Sequence, residues 1–167
     1  MEASNSYFYE FSGGDSNAYS FKTNLGIGYV VKFVPSDYLF EHVSELNIRA
    51  YEMIIAVTGT NSMGRIPADV NIYYTVMAIF NHFFDNHEKV IIFVFDSFDK
   101  RHLARARKFT AWYYKAFKQT STDLAKLDRS IPEENGDIIL LSMFIHRRHP
   151  QLGAAVDAFF SMGTDEK

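Results

Sequence analysis

Apolar and polar residues alternate through the first third of the chain. Tyr7, Tyr9 and Phe11 share one face, and Gly13-Gly14-Asp15 turns the chain. Tyr19 and Phe21 follow, then Thr23-Asn24-Leu25-Gly26, and Ile27, Tyr29, Val31 and Phe33 make a third period-two run that stops at Pro35. Successive side chains of a strand point to opposite faces, so the pattern predicts a three-stranded antiparallel meander. Residues 36–46 keep neither period and are read as a short helical turn. Ile48 to Val57 predicts a fourth strand, with Tyr51, Met53, Ile55 and Val57 on one face.

The period then changes. A ten-residue Gly/Ser/Asn-rich loop, Thr58 to Pro67, leads into a helix of about 17 residues over 68–85. Two neighbouring stripes, Ile72/Val76/Ile79/Phe83 and Tyr73/Met77/Phe80/Phe84, follow the i, i+4, i+7, i+11 spacing, so this helix buries a wide face. Lys89 to Asp96 is apolar on both faces, as expected of a central strand covered on each side. A second helix runs over 100–118 with Asp99 as its cap, and Gln119 to Asp123 connects it to two further strands. Those strands flank Glu133-Glu134-Asn135-Gly136-Asp137, whose Asn-Gly pair signals a hairpin. Pro150 opens a last amphipathic helix carrying Leu152, Val156, Phe159 and Phe160. The expectation is a single α+β domain over 1–167. Its central sheet has six to seven strands, mostly antiparallel, in the order ββββ-α-β-α-ββ-α.

Composition narrows the chemistry. Hydrophobic residues make up 47% of the 167, with sixteen Phe and ten Tyr, which suits a packed core. No cysteine is present, so disulfides, thiolate nucleophiles and cysteine-held metals are excluded. The first residues carry neither a basic nor an apolar region of a secretory signal, and the longest apolar run, Val90 to Phe95, is far below the ~20 residues of a membrane span. A cytoplasmic protein without a membrane partner is the expectation.

Charge is segregated. Residues 100–118 hold seven Lys/Arg and no acid, leaving ten Lys/Arg against twenty Asp/Glu elsewhere. Arg101, Arg105, Lys108, Trp112 and Lys115 fall on one helical stripe, with Tyr113 and Tyr114 nearby. Guanidinium groups bind phosphates in bidentate fashion and aromatic rings stack on bases, so the stripe suits an anionic partner such as a nucleotide, a nucleic acid or an acidic protein. The same stripe also reads as a solvated face, or as a cover for acidic surface on its own chain. Gly59-Thr60-Asn61-Ser62-Met63-Gly64-Arg65-Ile66 is a near miss to a phosphate-binding loop. Backbone N–H groups there, with Gly64 and Arg65, offer an anion site, but Arg65 stands in the lysine's place, Ile66 in the hydroxyl's, and the preceding strands read as antiparallel. Asp96 and Asp99 at the end of the central strand are candidate metal or base carboxylates, though a turn and a helix cap explain both. His82 and His87 fall about 140° apart on a helix, and His146 and His149 on opposite faces of a strand, so no metal site is expected. No nucleophile-elbow, Rossmann, kinase or H-E-x-x-H motif occurs.

Two resemblances follow from these segments. VIIFVFDSFD, then RHLARARKFTAWYYKAF, then a hairpin around NGD resemble an uncharacterised bacterial family, found mainly in Bacteroidetes, with a domain of unknown function. The element order from Ile27 onward resembles the core of the GCN5-related N-acetyltransferases. That likeness implies coenzyme A as cofactor, with its pyrophosphate on a loop at 58–67. It also implies a second-helix tyrosine that protonates the leaving thiolate. Here Phe109 stands at the tyrosine position and Tyr113 at a glycine, so Tyr113 or Tyr114 would have to supply the acid.

Three functions stay open. One is a binding or regulatory protein that holds an anionic partner through the basic aromatic helix, without a cofactor. The others are an acyl-coenzyme A-dependent N-acyltransferase and a structural subunit whose helix docks an acidic surface, including that of a second copy in a homodimer.

Overall fold

The computed structural model describes residues 5–43, 45–59, 69–95, 102–117 and 123–163. In chain order the elements are β1 (Tyr9–Gly13), β2 (Ala18–Lys22), β3 (Gly28–Pro35), a single 3-10 turn (Asp37–Phe40), β4 (Arg49–Gly59) and α1 (Val70–Phe83). They continue with β5 (Lys89–Phe95), α2 (His102–Phe117), β6 (Leu124–Pro132), β7 (Ile138–His146) and α3 (Leu152–Ser161). The seven strands form one mostly antiparallel sheet in the order β1-β2-β3-β4-β5-β7-β6, which places β5 inside it as expected. One pairing is parallel, that of β4 with β5, Arg49–Glu52 lying beside Lys89–Ile92. Parallel neighbours need a crossover, and α1 supplies it. β4 also extends to Gly59, so Thr58 and Gly59 belong to the strand and not to the loop.

The chain divides into two compact units. The first comprises residues 1–34 and 53–85, the second 35–52 and 86–167.

In the first unit, β1 to β3 form the expected meander, with β1–β2 and β2–β3 both antiparallel. Tyr19, Phe21, Tyr29, Val31 and Phe33 are buried. Phe11 departs from the expected apolar face. It is exposed, because β1 is at the edge of the sheet with no further strand among the described residues, and its ring leans on Tyr19 at 4.8 Å. Thr23 to Gly26 close the β2–β3 hairpin: the Gly26 N–H donates to Thr23 O at 3.0 Å, and Gly26 takes φ +77, open to glycine at no steric cost. Both predicted stripes of α1 are buried, and Phe83 stacks on Phe33 at 4.0 Å between ring centroids. Asp69 caps α1, its Oδ1 accepting from the Asn71 N–H at 2.9 Å while Oδ2 accepts from the Tyr7 hydroxyl at 2.5 Å.

In the second unit, alternation along the strands makes two apolar faces. Val90 and Ile92 of β5, with Leu141, Met143 and Ile145 of β7, pack under Ala155, Ala158 and Phe159 of α3. Phe93 and Phe95 point the other way, where Phe109 of α2 meets Phe93 at 4.6 Å and Phe144 of β7 at 5.7 Å. Both faces of β5 are thus covered, which is why its sequence is apolar throughout. Phe160 is exposed, contrary to the sequence reading, since a step of one residue rotates ~100° away from the buried Phe159. The β6–β7 hairpin turns at Glu133–Gly136 with Gly136 at φ +86, while Asn135 keeps an ordinary negative φ. It is therefore a four-residue turn ending in a left-handed glycine, not the tight two-residue Asn-Gly turn.

Candidate functional site

α2 carries no acidic residue, and its face toward the sheet is set by Phe109 and Tyr113, both buried. At ~100° per residue, Arg105, Lys108, Trp112 and Lys115 fall on an adjoining flank, centred roughly 100° from that face. The three cations are exposed and Trp112 is half-buried. Lys108 Nζ sits 5.0 Å from the centroid of the Trp112 ring, a cation–π distance that holds the charge against an aromatic plate. All four lie within α2. Arg101, the loop residues Gly64 and Arg65, and the carboxylates Asp96 and Asp99 lie outside the described residues.

The two tyrosines differ sharply. Tyr113 is buried, and its hydroxyl donates to Leu124 O at 3.4 Å. Burial pushes its phenol up, with Tyr114 and Asp128 adding to the effect and Arg147 opposing it. A phenol held neutral beneath a helix is poorly placed to give its proton to a ligand. Tyr114 is exposed. Phe109 is a packing residue between β5 and β7.

Two grooves flank the sheet of the second unit. The first, about 630 Å³, runs along α2 and is lined by Leu103, Arg107, Thr110 and Tyr114 of the helix and by Asp128, Ser130, Leu140 and Ser142 of the hairpin. At its floor, Asp128 Oδ1 accepts from Ser142 Oγ at 2.6 Å and from Lys126 Nζ at 2.5 Å. The second, about 520 Å³, lies on the α3 side and is lined by Tyr38, His42, Glu52, Val94, Ile139 and Met162 among others. Burial alone raises the Glu52 carboxyl above the usual carboxylate range. His42 Nε2 lies 2.9 Å from both Ala158 O and Ser161 Oγ.

His87 and His146 approach to 4.9 Å between ring centroids, and no group of three His, Asp or Glu able to hold a metal occurs among the described residues. Nor is any described helix long and apolar enough to cross a membrane.

Sequence reasoning missed Glu52, Arg107 and the Lys126–Asp128–Ser142 cluster. Glu52 had a signal, since period two puts it on the face of the buried Ala50. Ser142 had one as well, as the single polar residue within Ile138–Ile145. The Lys126–Asp128 pair had none, because both occupy an alternating edge strand where charges are ordinary.

No curated protein and no solved structure matches the chain. A family model does, over residues 68–161, which span α1 to the end of α3 and contain the basic helix, the first groove and the β6–β7 hairpin. On that match the chain belongs to a family of unknown function, DUF6169.

Proposed function

We propose that this chain is a binding protein that holds an anionic partner through the outward face of α2. One observation carries the reading: Arg105, Lys108 and Lys115 are exposed together on a helix with no acidic residue, beside a Trp112 ring. The rest of the chain is acidic, so the positive potential is local and steers anions to that helix. Phosphate esters suit the site best, because guanidinium and ammonium groups bind their oxygens and a ring beside them stacks on a base. The test is a titration of the full chain with a fluorescent single-stranded oligonucleotide, with polyglutamate as the acidic-protein comparison. If three cations each neutralise a phosphate, affinity should fall about twentyfold between 50 and 200 mM salt. No polyanion binding at low salt, or binding indifferent to salt, contradicts the reading.

A second reading, acyl-coenzyme A-dependent transfer to an amine, is favoured by a different observation. β4, α1 and β5 make a parallel crossover. In sequence order, the segment before α1 is the one to which the likeness to GCN5-related N-acetyltransferases gives the pyrophosphate. Glu52 would serve as the base, since a carboxyl raised by burial takes a proton more readily than an exposed one. Isothermal titration separates the two readings. Micromolar or tighter binding of acetyl-coenzyme A promotes the transferase, and its absence leaves the binding protein.

A further inference from the structure

The groove along α2 holds two opposite charges that do not meet. Asp128 is fixed from below: Lys126 Nζ and Ser142 Oγ both donate to its Oδ1, while its Oδ2 accepts no hydrogen bond among the described residues. The lysine is hidden, with a side chain 3% exposed, whereas that of Asp128 is 61% exposed. Across the groove Arg107 stands on the wall of α2, one flank away from the basic stripe, and forms no ion pair with Asp128. Between the charges the walls are apolar, made by Leu103 and Leu140, with Tyr114 two helical turns beyond Arg107.

We propose that this groove binds a small apolar zwitterion, a free amino acid or a di- or tripeptide with aliphatic or aromatic side chains. The charges decide the class. A simple anion drawn to Arg107 would meet the Asp128 carboxylate, and a simple cation drawn to Asp128 would meet Arg107. A ligand carrying an ammonium and a carboxylate satisfies both at once, and its apolar side chain covers Leu103 and Leu140. The carboxylate is preorganised, because two donors already hold it, so little ordering is required when a ligand N–H reaches it. A volume of about 630 Å³ lies within the range of small-ligand sites and exceeds the needs of an ion.

The full chain is titrated by calorimetry with L-leucine, leucyl-leucine and trileucine, and with two blocked probes, N-acetyl-leucine and leucinamide. At least one of the three zwitterions is expected to bind with a millimolar or tighter Kd, its length fixing which source the site takes. Each blocked probe should bind at least about tenfold more weakly, since it lacks the group that meets either Arg107 or the free Oδ2 of Asp128. In Arg107→Ala the zwitterion should fall to the level of leucinamide, and in Asp128→Asn to that of N-acetyl-leucine. If Asp128→Asn fails to fold because Lys126 loses its partner, the comparison of blocked and free probes on the unaltered chain still decides. The proposal is overturned if no zwitterion binds at tens of millimolar, or if the blocked probes bind equally well. Neither result touches the outward stripe, which lies on the other side of α2.

Discussion

His149 shows how much one side chain can fix. It is buried just before α3, where its Nδ1 accepts the Gln151 N–H at 3.0 Å. That nitrogen must therefore be unprotonated, which leaves Nε2–H to donate to Glu88 O at 3.2 Å. The ring joins the turn before β5 to the start of α3, and only the neutral imidazole makes both bonds. Burial lowers its pKa, against smaller opposing contributions from Glu88. A lowered value means that the unfolded chain takes the proton first on acidification. The stability contributed by neutral His149 is thus complete above about pH 6.5 and is lost as pH falls below it. Urea denaturation at about pH 7.5 and 5.5 should show a drop in midpoint that His149→Gln largely removes. Equal pH dependence in the two proteins would contradict this. Such a role was invisible in the sequence, because the partners are a backbone carbonyl 61 residues away and a backbone N–H whose direction the helix start decides. Glu52 was partly visible, through its parity with Ala50. The pairing of Asp128 with Lys126 and Ser142 required the register of β6 on β7.

Among the elements, α2 has the clearest division of labour. Phe109 and Tyr113 seat it on Phe93, Phe95 and Phe144, and everything it offers to a ligand lies on other flanks. Truncating the seat should release the helix: Phe109→Ala is expected to cost about 3–5 kcal/mol, read as a lower urea midpoint. A cost below about 1 kcal/mol would mean that α2 is held by something other than this aromatic cluster. Periodicity located α1, α2 and β5 well because each buries a continuous stripe or both faces, leaving a long and redundant pattern. It was weaker at edges. Phe11 looked like core because its parity is right, yet parity does not say whether a strand has a neighbour or a cover. Phe160 failed for a related reason: the buried face of α3 is narrow, holding Ala155, Ala158 and Phe159, and a one-residue step carries Phe160 ~100° off it. The turn type at Gly136 was equally hidden, because Asn-Gly is compatible with both a two-residue turn and a left-handed glycine after a wider one.

Over the whole molecule, the strand count, the mostly antiparallel sheet and the interior place of β5 were readable from the order of the segments. The parallel pairing of β4 with β5 was not, since a helix between two strands is compatible with either direction until the sheet order is known. Charge segregation was readable in full, because it is a property of composition: a chain of net charge −3 places seven of its seventeen Lys/Arg, and no acid, within residues 100–118. The central claim is that this concentration is functional, and charge reversal tests it most directly. Arg105→Glu, Lys108→Glu and Lys115→Glu are combined in the full chain, and far-UV circular dichroism with a thermal melt checks the fold. A folded variant is expected, because these side chains are exposed and the buried face of α2 is unchanged. Oligonucleotide binding is also expected to vanish at a salt concentration where the parent binds. A folded variant that binds the oligonucleotide as well as the parent would contradict the account, and so would one that unfolds, since the stripe would then be a brace within the protein.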